Sequence, residues 1–123
     1  MRTALIVDDS NVVRVSLTTI LSNLGFTCLK AQDGKDALEV FEKNKEDISV
    51  ILLDWNMPIM NGYDFLLELR KNYPQEPKVL MVTTEIQMKS MLKALAGGAD
   101  EYVMKPFDKN IIRDKLEILG FYE

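Results

Sequence analysis

Three uninterrupted apolar runs, Ala4–Val7, Val50–Leu53 and Val79–Val82, constrain the fold of this chain more than any other feature. A strand with one wet face alternates apolar and polar residues, whereas a run apolar at every position fits a strand covered on both faces. The first strand is read as Ala4–Asp8, the third and fourth as Val50–Leu53 and Val79–Val82. Thr27–Ala31 alternates and reads as an edge strand, and Tyr102–Met104 is the fifth candidate. Between the strands the period changes to that of a helix. Val13, Leu17, Ile20, Leu21 and Leu24 share one face, and Gly25 stops the pattern. Asp33 is placed to cap a helix carrying Ala37, Leu38 and Phe41. Asn61-Gly62 precedes a third through Phe65, Leu66 and Leu69, which ends before Pro74. Met88, Met91, Leu92 and Leu95 mark a fourth ahead of Gly97-Gly98, and Ile112, Leu116 and Leu119 mark the last. Strands alternating with helices imply parallel strands, right-handed crossovers and helices on both faces, an α/β three-layer sandwich.

The 123 residues are one domain's worth of chain, read as a single domain over 1–123. No apolar run approaches the roughly 20 residues of a membrane-spanning helix, and no leader pattern opens the chain. Cytoplasmic localisation without membrane insertion is expected. The net charge of −4 argues against nucleic acid as a partner. The absence of histidine removes His-based triads and His-ligated zinc sites. Cys28 stands alone, reads as a small core residue, and has no internal disulfide partner.

Ligands of doubly wound sheets bind beyond the carboxyl ends of the strands, so the residues just past each strand matter most. Asp8 and Asp9 come after the first, Asp54 after the third, Thr83 and Thr84 after the fourth, Lys105 and Pro106 after the fifth. Neighbouring carboxylates repel, and a cluster of them calls for a cation. Either Lys105 neutralises part of it, or a divalent ion does, or both. The available donors are hard oxygens, which points to Mg²⁺, with Mn²⁺ as the alternative. Asp54 stands alone at the end of a buried run and is the candidate nucleophile towards phosphorus, forming an aspartyl phosphate. The Asp8-Asp9 pair suits the cation, and the Thr83 hydroxyl and Lys105 suit the phosphoryl oxygens.

The set Asp8-Asp9, Asp54, Thr83 and Lys105-Pro106 resembles the receiver domain of two-component response regulators. The run Asp54-Trp55-Asn56-Met57-Pro58 with Gly62, Thr83-Thr84-Glu85, and Tyr102 ahead of Lys105-Pro106-Phe107 are similar to the single-domain chemotaxis regulators of the CheY type. The likeness covers essentially the whole chain. It implies a flavodoxin-like (βα)5 fold with strand order 2-1-3-4-5 and no output domain. It implies that Asp54 accepts a phosphoryl group from a histidine kinase. Asp8, Asp9, the Asp54 carboxylate and the backbone carbonyl of Asn56 would hold Mg²⁺. Lys105 would contact the phosphoryl group, directed by a cis peptide to Pro106, and Thr83 with Tyr102 would form a switch pair. Trp55, Thr84, Glu85 and Pro106 shape the site, Thr84 replacing the smaller residue common in the family.

The implied protein is a monomeric switch, not an enzyme, with only slow self-dephosphorylation. Its expected target is a flagellar motor switch protein, or another protein, bound through the fourth helix, fifth strand and fifth helix; a phosphatase is a further expected partner. A phosphorelay intermediate serving a histidine phosphotransferase is the alternative. A small Mg²⁺-dependent phosphatase shares the chemistry, but such enzymes carry a second Asp two residues after the nucleophile, where this chain has Asn56. A flavin binder on the same fold is disfavoured because Asp8-Asp9 would repel the cofactor's phosphate. The apolar stripe Ile86, Met88 and Met91 is read mainly as core, with a smaller share as partner surface. Trp55 is expected to pack beside the site. The tail Gly120–Glu123 identifies no partner.

Overall fold

A computed structural model describes residues 2–121; Tyr122 and Glu123 of the tail lie outside the described residues. The chain runs β1 (Arg2–Val7), α1 (Asn11–Asn23), β2 (Phe26–Ala31), α2 (Gly34–Asn44), β3 (Ile48–Leu53), then α3 (Gly62–Asn72) and β4 (Lys78–Thr83). It continues through α4 (Met88–Ala96), β5 (Glu101–Met104) and α5 (Lys109–Ile118). All strand pairs are parallel, and the sheet order is β2-β1-β3-β4-β5. Asp8 falls just outside β1, while β3 starts at Ile48, earlier than its apolar run, with a register irregularity opposite Thr3/Ala4.

The alternating side chains of the central strands feed two separate cores. Leu5, Val7, Ile51, Leu53, Val79 and Met81 pack with Phe41, Phe65 and Leu66 of α2 and α3. Ala4, Ile6, Val50, Leu52, Leu80 and Val82 pack with Leu17, Leu21, Ile112 and Leu116 of α1 and α5. Both faces of β1, β3 and β4 are thus covered, which is why those strands are apolar at every position. β2 lies at one edge and alternates; Cys28 is half-buried against the second core, where burial pushes its thiol pKa up.

Helix ends obey the local chemistry. Asp33 accepts from Asp36 N at 2.8 Å and Asn61 from Asp64 N at 2.8 Å, each filling an orphan donor of the first turn. Ser10 does the same for α1 and Asp108 for α5. Helix α4 has no side-chain cap, and Ala94 is its one fully buried residue.

The fourth helix overturns one expectation. Ile86 is 66% exposed, Met88 67% and Leu92 60%, so this stripe is surface and not core. Met91 alone is packed against the first core, as a half-buried contact. The inward face runs through Met91 and Ala94, one residue step away from Met88, Leu92 and Leu95. Helical periodicity marks an apolar stripe but does not say which way it faces when a second stripe lies beside it.

Leu92→Gln should therefore change the unfolding free energy by no more than about 0.5 kcal/mol. Leu66→Ala, a fully buried deletion, should lower it by roughly 2–5 kcal/mol. Urea unfolding of the two variants beside the wild type checks the contrast; comparable losses would return the α4 stripe to the core.

Candidate functional site

From β1 the chain crosses to β2 on one side and from β3 to β4 on the other, so a crevice opens between the carboxyl ends of β1 and β3. Val7 is level with Leu53 across the β1–β3 pair, and the residues one step on, Asp8 and Asp54, stand side by side. Main-chain bonds extend the ladders past the strand ends. Asp8 N donates to Ala31 O at 3.1 Å, Asp54 N to Val7 O at 2.9 Å, and Lys105 N to Thr83 O at 2.9 Å. Three of the polar residues expected at this edge are thus held by sheet hydrogen bonding rather than by loop packing.

The side chains converge. One carboxylate oxygen from each of Asp8, Asp9 and Asp54 lies within 4.8 Å of the others. Asp8 is 1% exposed and Asp54 6%. Asp9 is exposed at the rim. Lys105 Nζ reaches Asp8 Oδ2 at 2.7 Å and Asp54 Oδ2 at 3.3 Å. The remaining oxygens of the buried pair take backbone donors, Ser10 N on Asp8 Oδ1 at 2.9 Å and Trp55 N on Asp54 Oδ1 at 2.8 Å. Burial pushes the Asp54 pKa up, reinforced by the Asp8 charge, while the Thr83 hydroxyl, Lys105 and the Trp55 N–H pull less strongly the other way. Burial alone would lower Lys105, but its hydrogen bond to Asp8 and the charges of Asp54 and Asp8 together reverse that, and its pKa is raised.

Three carboxylates against one ammonium leave the crevice short of positive charge, and its donors are hard oxygens only. That set fits Mg²⁺ or Mn²⁺ and disfavours softer metals.

The other expected residues sit around this centre. Thr83 is fully buried, its hydroxyl accepting from Glu85 N at 3.2 Å. Thr84 and Asn56 are exposed, and Asn56 lies in the turn two residues past Asp54. The Lys105–Pro106 peptide is cis. Tyr102 is 8% exposed, turned inward so that its hydroxyl donates to the Glu85 carbonyl at 2.8 Å. Its pKa is pushed up to about 12 by burial and by the Glu85 and Asp54 charges. Trp55 packs against the first core and stacks on Tyr63, with ring centroids 5.2 Å apart.

Some supporting residues were not anticipated. Arg14 Nη1 donates to the Asp8 carbonyl at 2.6 Å, one α-helical turn into α1; a lone Arg at that position carries no sequence signal. Gly62 belonged to the recognisable run, but its reason is spatial: a Cβ there would overlap the Asp54 carbonyl oxygen. Its N–H donates to Trp55 O at 2.8 Å, closing the loop from Asp54 to α3. Ile59 has a φ of 69°, a left-handed conformation that a β-branched residue rarely adopts.

Residues 4–117 match the family described as the response regulator receiver domain. A chemotaxis protein CheY homologue of Campylobacter jejuni is 39% identical over 120 residues, covering 94% of this chain and 91% of that protein. Chemotaxis protein CheY1 of Helicobacter pylori is 38% identical over 117 residues, covering 94% of each chain. Among solved structures, the CheX–CheY–BeF3–Mg complex of Borrelia burgdorferi superposes with a TM-score of 0.92 at 26% identity, over 96% of this chain and 88% of that one. Vibrio cholerae chemotaxis protein CheY4 superposes with a TM-score of 0.88 at 32% identity, over 96% and 98%.

A carboxyl whose folded pKa is raised opposes folding at neutral pH, and that penalty fades as pH falls through the folded value towards the unfolded one near 3.9. Asp54→Asn should therefore raise the thermal midpoint at pH 7, and the gain should shrink steadily down to about pH 4. Thermal unfolding across that range measures it; a gain that grows in acid would contradict the direction assigned to Asp54.

Proposed function

The chain belongs to the response regulator receiver domain family, and from that premise we propose that Asp54 is the phosphoacceptor of a signalling switch in chemotaxis. The phosphodonor is the phosphohistidine of a histidine kinase. An Asp54 oxygen attacks phosphorus, the P–N bond breaks, and the departing imidazole takes up a proton. The observation that carries this reading is the buried pair Asp8–Asp54 bridged by Lys105, with Asp9 at the rim.

Each residue has a definable task. Asp8, Asp9, Asp54 and the Asn56 carbonyl would hold Mg²⁺, or Mn²⁺ in its place. When bound, the ion neutralises charge on the incoming phosphoryl oxygens. Lys105, already within 3.3 Å of Asp54, shifts its ammonium to the transferred group. Thr83 offers its hydroxyl to a phosphoryl oxygen, and Tyr102, already turned inward onto the Glu85 carbonyl, is held there with it. Trp55, Thr84, Glu85 and Pro106 bound the crevice, and the exposed Thr84 side chain limits access to it. The chain switches rather than turns over substrate, hydrolysing its own acyl phosphate slowly.

The energy scale allows such a switch. Moving an equilibrium from 1:99 to 99:1 needs about 5.5 kcal/mol. One hydrogen bond to a charged group supplies roughly 1.5–3 kcal/mol, so Thr83 and Lys105 together approach the requirement and Thr83 alone does not.

The target binds the surface of α4, β5 and α5. Exposed Met88, Leu92, Leu95, Met104 and Ile111 lie on these elements, accompanied by the exposed Lys89 and Lys109. A flagellar motor switch protein is the proposed partner. The α4 stripe that the fold turns outward supports this use, since Met-rich surfaces adapt to partners.

Acetyl phosphate with Mg²⁺ should add one hydroxylamine-labile phosphoryl group to the wild type, read by mass spectrometry. Chelating the metal or substituting Asp54→Asn should abolish it; undiminished labelling in the variant would remove Asp54 from the role. Thr83→Ala should be labelled nearly as well as the wild type while losing most of the phosphorylation-dependent gain in partner binding. That gain is checked by pull-down with and without beryllofluoride, and an unchanged gain would separate Thr83 from the switch.

A further inference from the structure

Trp55 is the acceptor's immediate neighbour in the chain, and both ends of its backbone are tied to the site. Its N–H donates to Asp54 Oδ1 at 2.8 Å, and its carbonyl accepts from Gly62 N at 2.8 Å. The indole lies almost parallel to the Tyr63 ring, with 8° between the planes. Over the same ring sits Lys93 Nζ, 4.5 Å from the centroid. Gly97, just past α4, leaves the phenol its space, since a Cβ there would stand 3.2 Å from Tyr63 Cε1. Indole, phenol and ammonium form a continuous stack from the acceptor's neighbour, over the first turn of α3, to the body of α4. Stacked rings and a cation over a π face attract through complementary electrostatics.

Helix α4 is the element most open to such a tie. Ala94 is its one fully buried residue, and its N-terminus lacks a side-chain cap. A helix with so small a buried footprint can be biased by one contact of modest strength. The stack also bypasses the Thr83–Tyr102 pair, which touches the chain at Glu85, ahead of the helix.

We infer that Tyr63 and Lys93 are positioning residues that couple the loop of the acceptor to the placement of α4, through Trp55. The inference rests on the reading of Asp54 as phosphoacceptor. The stack coexists with Tyr102 turned inward, the ring position that the proposed switch uses, and adds its contacts to that arrangement. By linkage, a contact that favours this arrangement also tightens binding of a phosphoryl group made for it.

Beryllofluoride, a phosphoryl mimic, is titrated in excess Mg²⁺ and its bound ¹⁹F resonance monitored. The proteins compared are wild type, Lys93→Met, Lys93→Arg, Tyr63→Leu and the Lys93→Met/Tyr63→Leu double variant, each with its thermal midpoint recorded. Lys93→Met should weaken the mimic about two- to fivefold, the size of a cation–π contact at an exposed site. Lys93→Arg, whose guanidinium also sits over a ring, should restore wild-type affinity. The double variant should bind as Tyr63→Leu does, because Lys93 has nothing left to act through. Wild-type affinity in Lys93→Met, or an equal further loss on adding it to Tyr63→Leu, overturns the coupling while leaving Asp54 as acceptor. Failure of the wild type itself to bind the mimic overturns the acceptor reading, and the coupling with it.

Discussion

One ammonium holds this crevice together. Asp8 and Asp54 are buried side by side at the end of the sheet, and Lys105 spans them at 2.7 and 3.3 Å. Without a shared cation, two adjacent carboxylates in so little solvent would drive one of them to protonate. With it, the charge is shared but incompletely neutralised: desolvation still outweighs the attractive contacts at Asp54 and raises its pKa. A crevice that is stable but still short of positive charge has the charge and the hard-oxygen donors to suit a metal ion. Structural demands and those of the proposed function therefore meet on the same three side chains.

The sheet supplies the precision. Because Asp8, Asp54 and Lys105 each have a backbone N–H in an extended ladder bond, their spacing is inherited from strand register. The fourth helix is held on the opposite plan. Helix α4 keeps one buried residue and turns an apolar face outward. Rigid crevice and loosely held helix are joined by short connections, the Tyr102 hydroxyl to Glu85 on one side and the Trp55–Tyr63–Lys93 stack on another.

Much of this was legible in the residues. The two-faced apolar runs of β1, β3 and β4, the alternating β2 and the cap Asp33 all read correctly, because each reflects a local rule of burial or hydrogen bonding. The site was legible in the polar residues just past each strand, since a parallel sheet brings all those positions to one edge. Contacts between residues remote in sequence escaped. Arg14 on the Asp8 carbonyl and the overlap that excludes a Cβ at Gly62 have no periodic or local signature.

The sequence by itself determined that this chain makes a doubly covered parallel sheet and carries three acids, a threonine and a lysine to its carboxyl edge. Burial period and strand-end position are properties of consecutive residues, so they can be read in line. Only the tertiary structure decided that Met88 and Leu92 face solvent, that Tyr102 points inward, and that Lys93 lies over Tyr63. Those outcomes depend on how a helix is rotated about its axis and on which rotamer a neighbour leaves open, and both are settled by packing in three dimensions.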